Sequence, residues 1–273
     1  MKQRRLPFTN QWMFNRVMLK ESICRKVIRA TTGIDAGCIS YLNAEQAIEP
    51  SPENRGIRMD VFARDDGRMY DIEMQSEPEF LLGKRFRYYQ SAIDTKDLPR
   101  GADYNDLLES YIVFVCKSDP FGYALPVYHL ERACQEAPRL AVGDESHWIA
   151  LNARAWENLA DNDLLDLLRY VESAAPCGPL SREIDAAVNE ANEDRKWVDT
   201  VWSVSTIEEN NARRHRIGLR LAREEGVEEG AARFAALADQ LLEQGRIDDL
   251  KRATHDKEFR DALLVSLDEP SHQ

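Results

Sequence analysis

Two short runs, RMDVFAR and RMYDIEMQ, flank Asp66-Gly67, and each carries an acid in its body: Asp60 in the first, Glu73 in the second, with Gln75 two residues on. Asp-Gly between alternating runs is a strong local signal for a hairpin with a two-residue turn. That turn pairs Asp65 with Arg68, which sets Asp60 opposite Glu73 and Arg58 opposite Gln75. A four-residue loop keeps this register, whereas a three-residue turn sets Asp60 against Ile72. Side chains alternate along a strand, so Asp60, Glu73 and Gln75 share one face; Met59, Val61, Ala63, Tyr70, Ile72 and Met74 collect on the other. Directly opposed residues hold their Cβ atoms about 5 Å apart, and like charges there repel. A divalent cation between the carboxylates removes the repulsion. Mg²⁺ takes hard oxygen ligands, typically one or two carboxylates with waters and substrate phosphate. Such an ion orients a water, lowers its pKa and stabilises charge developing on a phosphodiester. The same residues also read as a solvent-facing polar face on which Asp71, Arg64 and Arg68 dilute the repulsion.

Several elements must position this hairpin. Asn10 is a suitable N-cap for a helix running to about Ala30, where Thr31-Thr32-Gly33 ends it. Met13, Phe14, Val17, Met18, Ile23, Val27 and Ile28 recur there at helical spacing. Residues 43–56, with Pro50, Pro52 and Gly56, read as a loop. EPEFLLGKRFRYYQSAI, 77–93, reads as a helix with Pro78 in its first turn. YIVFVC, 111–116, is apolar throughout and predicts a buried central strand; YALPVYHL and HWIALN predict further strands. From about Ala155 the pattern is helical, with a break at Pro176–Pro179 and then one long helix from Ser181 to about Val204. Beyond a boundary near residue 206, Glu-Glu-Gly recurs at four-residue spacing, and RIDDLKRATHDKEFRDALLVSL reads as two short amphipathic helices.

Composition narrows the classes of function. The chain has 273 residues, 43% hydrophobic and 31% charged, which is a globular balance. No apolar run approaches the ~20 residues of a membrane span, and the basic N-terminus lacks an apolar core segment, so neither membrane insertion nor export is expected. Five scattered cysteines without a CxxC pair fit reduced thiols in a cytoplasm, and no HxxxH pair supports a histidine-based metal site. The net charge is −12, yet residues 1–58 hold ten Lys/Arg against five acids. This basic block reads either as a phosphate-facing surface or as a solvated helix face.

RMDVFARDDGRMYDIEMQ resembles the core of the PD-(D/E)XK nuclease-family transposases, the group that includes the recombination-promoting nucleases. KRFRYYQSAI resembles that family's tyrosine- and basic-rich helix, and GADYNDLLESYIVFVC its next loop and strand. The likeness runs from about residue 8 to 152, and the acidic EEGVEEG stretch is also typical. It implies an α/β, restriction-endonuclease-like core: a mixed sheet of about four strands flanked by helices, with the hairpin at its centre and a helical C-terminal region after it. In domain terms this is a nuclease-like unit over 1–205 (core about 8–152, helical extension 153–205) and an acidic helical tail over 206–273.

The activity implied is endonucleolytic cleavage of DNA dependent on Mg²⁺ or another divalent cation, tied to transposition, recombination or genome defence. Asp60, Glu73 and Gln75 fall on the family's metal and active-site positions, Gln75 standing where the wider superfamily usually has Lys. Asp60 and Glu73 would bind the metal, and the Gln75 amide would orient water or a phosphate oxygen. Lys84, Arg85 and Arg87, with Arg58, would contact DNA phosphates. Glu21 is the candidate for the Glu that the superfamily often supplies from its first helix, and Gln90 would reach toward the site. Two other functions stay open: an inactive DNA- or protein-binding descendant of the same fold, and an RNA nuclease. A cytoplasmic protein is expected, with the tail as a candidate device for homo-oligomers.

Overall fold

The computed structural model describes residues 4–48, 57–78, 82–204, 206 and 233–268. The chain divides into two compact units, Met1–Val201 and Trp202–Gln273. In the first, the strands are β1 (Tyr41–Ile48), β2 (Ile57–Arg64), β3 (Arg68–Gln75), β4 (Glu109–Cys116), β5 (Val127–Leu130) and β6 (Ser146–Asn152). They form one six-stranded sheet in the order β1-β2-β3-β4-β6-β5. The pairs β3–β4 and β4–β6 are parallel and the other three antiparallel. The unit is therefore mixed α/β, with six strands where the resemblance implies about four and the residue patterns predict five. The added strand is β1, most of which occupies residues that read as loop; residues 49–56 of that stretch lie outside the described residues.

Both faces of the sheet are covered, which is why β4 is apolar at almost every position. On one face Tyr70, Ile72, Met74, Val113 and Val115 pack against α1 (Gln11–Met18), α2 (Glu21–Thr32), α4 (Asp163–Ser173) and α5 (Pro179–Glu193). On the other, Met69, Ile112, Phe114 and Cys116 pack against α3 (Leu82–Asp97) through Leu82, Phe86, Tyr89 and Ile93. Among the described residues no helix is long and apolar enough to cross a membrane.

The local signals explain most helix ends. Asn10 caps α1 by accepting from the Met13 N–H at 3.2 Å, and Gly33 ends α2 with φ +75°, a conformation that costs a residue with a Cβ more than it costs glycine. The expected single N-terminal helix is two, because Lys20 takes extended angles (φ −75°, ψ 105°) and pairs with Glu190 of α5. The expected long helix after the Pro176–Pro179 break is likewise interrupted. Asp194 leaves helical angles (φ −74°, ψ 82°) and its carboxylate accepts from the Trp197 N–H, capping a new helical stretch over 195–204. Pro78 precedes the described part of α3 rather than sitting in its first turn. In the second unit, helices cover 233–243, Ile247–His255 and Lys257–Asp268, the last two matching the expected amphipathic pair. The Glu-Glu-Gly repeat lies outside the described residues.

The hairpin turn has the expected length, and one buried side chain fixes it. Asp65 donates its N–H to the Arg68 carbonyl at 3.1 Å, while its carboxylate accepts from Arg68 N at 2.8 Å, Gly67 N at 3.1 Å, the Tyr70 hydroxyl at 3.0 Å and Gly37 N at 3.3 Å. These donors hold the Asp65 pKa below its ordinary value despite burial. Asp65→Ala strands several of them and should lower unfolding stability by about 1–3 kcal/mol in urea melts. A change within a few tenths would mean that the turn holds without its carboxylate.

Candidate active site

The paired register of β2 and β3 runs from Arg64–Met69 at the turn to Val61–Ile72, and there the ladder ends. Beyond it β2 continues alongside β1 as far as Ile57–Ile48, and β3 alongside β4 as far as Gln75–Cys116. The hairpin therefore opens like a Y at Asp60 and Glu73. The two acids bridge the opening reciprocally. The Asp60 N–H donates to Glu73 Oε1 at 2.7 Å, and the Met74 N–H donates to Asp60 Oδ2 at 3.0 Å. Each carboxylate thus takes a strand N–H where the β2–β3 ladder has ended, and backbone donors in such a buried place need partners.

This corrects two expectations. Arg58 does not sit against Gln75; it is exposed and lies over the Trp12 ring, 5.5 Å from its centroid. Met59 leaves the face of Val61 and joins the cluster packed by α3, so Met59, Asp60 and Val61 are buried consecutively.

Asp60 is reached from the first helix, but not by Glu21. Glu21 is exposed in the first turn of α2, and none of the hydrogen bonds at Asp60, Glu73 or Gln75 goes to it. Gln11 of α1 donates to Asp60 Oδ1 at 2.8 Å instead. On the other side α3 supplies two residues one turn apart, Arg85 and Tyr89. Arg85 Nη2 lies 3.3 Å from Glu73 Oε2, which also accepts from the Tyr89 hydroxyl at 3.3 Å. Arg85 Nη1 donates to Gln75 Oε1 at 2.6 Å, and the Gln75 amide donates to the Glu77 carbonyl at 2.6 Å. Arg85 is thus folded into the centre, while Lys84 and Arg87 are exposed on α3. Gln90 does not reach the centre. It donates to Asp94 and Ser110, both at 2.8 Å, and accepts from Trp148 Nε1 at 3.1 Å, bordering a separate cavity of about 380 Å³.

Sequence reasoning missed Gln11 and also Asp71, which lies on the same face as Glu73 and is paired with Phe62. Asp71 is buried, and its carboxylate oxygens meet no donor group; the neighbour within reach is the Glu73 carboxyl. Its pKa stands well above the ordinary value, first because burial disfavours the charge and then because Glu73 and Asp60 repel it. Burial and the Asp60 charge push Glu73 up to about 8, against the pull of the Asp60 N–H, Arg85 and Tyr89. Burial also raises Asp60, opposed by Met74 N, Gln11, Arg58 and Arg85. The available signal was the acid-x-acid spacing of Asp71 and Glu73 in a strand followed by buried β4.

Among the described residues, three buried carboxylates thus meet one guanidinium in hydrogen-bonding reach, that of Arg85, bonded to Glu73. If all ionise, the centre carries two negative charges in excess, which protons or a divalent cation must offset. Among the described residues no group of three or more His, Cys, Asp or Glu is disposed to hold a metal ion. The donors that could hold one are the Asp60 and Glu73 carboxylates, with other positions left to water and substrate oxygen, a ligand set suited to Mg²⁺. The Asp71 oxygens beside them, which meet no donor group, and the hard-oxygen chemistry of the set fit that group. No family model, no curated protein and no solved structure matches this chain.

Proposed function

We propose that this chain is a divalent-cation-dependent endonuclease that hydrolyses DNA phosphodiesters, built on a restriction-endonuclease-like core. One observation supports the reading above the others: the hairpin opens at Asp60 and Glu73, gathering three buried carboxylates and one guanidinium where the strands part. An acidic centre of this kind is costly for stability and is expected where charge must be handled. Mg²⁺ at Asp60 and Glu73 would supply Lewis-acid stabilisation of the phosphate and a more acidic water.

The chain's own residues do the rest. Gln11 and the Met74 N–H hold the Asp60 carboxylate in place, and Tyr89 holds that of Glu73. Hydrolysis consumes one water, whose oxygen bonds to phosphorus while one ester P–O bond breaks. The proton lost by the water passes to an ionised carboxylate of the cluster, and the departing alkoxide takes up a proton to leave as an alcohol. Lys84 and Arg87, one turn apart and exposed on α3, would place the DNA backbone.

Incubating the purified chain with supercoiled plasmid and Mg²⁺ should nick or linearise it, and EDTA should stop the reaction. Cleavage of labelled RNA but not plasmid would move the reading to an RNA nuclease. Binding without cleavage of either would leave a nucleic-acid-binding module. Neutralising Lys84 and Arg87 together should lower the slope of log affinity against log salt by about two. An unchanged slope would take that side of α3 out of the interface and turn attention to the N-terminal arginines.

A further inference from the structure

Among the described residues, the guanidinium hydrogen-bonded into the centre is that of Arg85, and it comes from α3 rather than from either hairpin strand. The anchors of Arg85 include Gln75 Oε1 at 2.6 Å, Glu73 Oε2 at 3.3 Å and the Tyr89 hydroxyl at 3.2 Å. Its guanidinium carbon lies 4.7 Å from the centroid of Phe114 and 5.4 Å from that of Tyr89. The side chain nevertheless stays 28% exposed, against 5% for Glu73. Aromatic rings thus flank the guanidinium, and part of the side chain stays open to solvent.

Gln75 changes role in consequence. Its carbonyl oxygen is committed to Arg85 and its amide to Glu77, so it aims the guanidinium rather than a water. Glu73 Oε2 is the contested atom: a cation arriving there meets the place now taken by Arg85 Nη2. A guanidinium is a planar fork that matches phosphate oxygens.

We propose that Arg85 is the cationic catalytic residue of this centre: kept in aim by Gln75, it yields Glu73 to a divalent cation and meets a phosphate oxygen of the DNA. This rests on the nuclease reading above, so its test has two readouts. The first is Mg²⁺ affinity by titration calorimetry without DNA. Arg85→Gln removes the competitor, and the affinity should tighten by on the order of tenfold, within the usual range of coupling between neighbouring sites. The second is single-turnover plasmid cleavage at saturating Mg²⁺. Arg85→Gln should be slower by about 10²–10³-fold, the usual cost of deleting one preorganised donor to developing charge. Adding Gln75→Lys to that variant returns a cation from the strand and should restore much of the rate, which a merely structural Arg85 would not allow.

Wild-type cleavage by Arg85→Gln would overturn the catalytic role, and unchanged or weaker Mg²⁺ affinity would overturn the exchange at Glu73. A wild type that binds Mg²⁺ but cuts neither DNA nor RNA would overturn the nuclease reading and the phosphate contact with it. The affinity comparison would still decide the exchange. If Arg85→Gln fails to fold, Arg85→Lys keeps the charge and loses the fork. It should bind Mg²⁺ like the wild type and cleave more slowly; a wild-type rate would count against the proposal.

Discussion

Asp71→Asn should match the wild type in stability at pH 5 and exceed it at pH 8, by about 1–3 kcal/mol in urea unfolding with EDTA present. The wild-type carboxyl is buried, meets no donor group and faces Glu73 and Asp60. Its folded pKa is therefore raised, as are those of Asp60 and Glu73. A raised carboxyl binds protons more readily in the folded than in the unfolded chain. The stability it brings is complete below the unfolded value near pH 4 and is lost as pH rises, by about 1.4 kcal/mol per unit for each proton involved. For Glu73 the loss extends to about pH 8. Asn has no proton to lose and no charge to repel its neighbours, so the variant's stability should fall less steeply between pH 5 and 8. Equal destabilisation at both pH values would overturn this account, because it would make Asp71 a residue needed for its shape or for a hydrogen bond.

How far the sequence carried depends on whether a signal was local. Asp66-Gly67 with alternating flanks gave the turn and the register near it, since the geometry of a two-residue turn leaves little choice. Asn10, Gly33 and the apolar run of β4 act through backbone angles or through burial on both faces, and they too were readable. β1 was not. Tyr41–Ile48 contains Asn43, Ala44, Glu45, Gln46 and Ala47, poor strand formers that an edge position tolerates because only one neighbour must be matched. The breaks at Lys20 and Asp194 carry no Gly or Pro; they follow from packing between α1, α2 and α5, which a single stretch of sequence does not encode.

The site was legible as a pair, Asp60 with Glu73, but its finer structure was not. Alternation assumes a straight ladder, and this one parts at the two acids. That parting moves Met59 to the other cluster, separates Arg58 from Gln75 and lets Gln11 in. Arg85 was expected to contact DNA phosphates alongside Lys84 and Arg87, with which it forms a basic run. Position around the helix decides otherwise: Arg85 and Tyr89 are four residues apart and share the side that faces Glu73, with Lys84 and Arg87 on the exposed side.

Asp60→Asn and Asp60→Ala should separate the two roles of Asp60, one in the fold and one in the proposed chemistry. Opposed carboxylates alone would make any neutral replacement harmless without metal. The hydrogen bonds say that the acceptor matters as well, since Met74 N and Gln11 Nε2 both donate to this side chain. Asn keeps an oxygen for the Met74 N–H, and Gln11 can turn its amide to accept from the new NH₂. In EDTA at pH 8 the Asn variant should therefore equal the wild type or exceed it by about 0.2–1 kcal/mol, the scale of a removed like-charge pair across strands. Ala strands both donors and should cost about 1–3 kcal/mol. Mg²⁺ at ten times its Kd should stabilise the wild type by about 1.4 kcal/mol, a rise of roughly 3–6 °C in Tm for a unit near this size. Both variants should gain little from Mg²⁺ and should not cleave DNA. An Asn variant as unstable as the Ala variant would mean that the carboxylate charge itself holds the two strands at the opening. Equal responses to Mg²⁺ in wild type and Asn variant would place any cation away from Asp60 and leave the opened hairpin a structural feature alone.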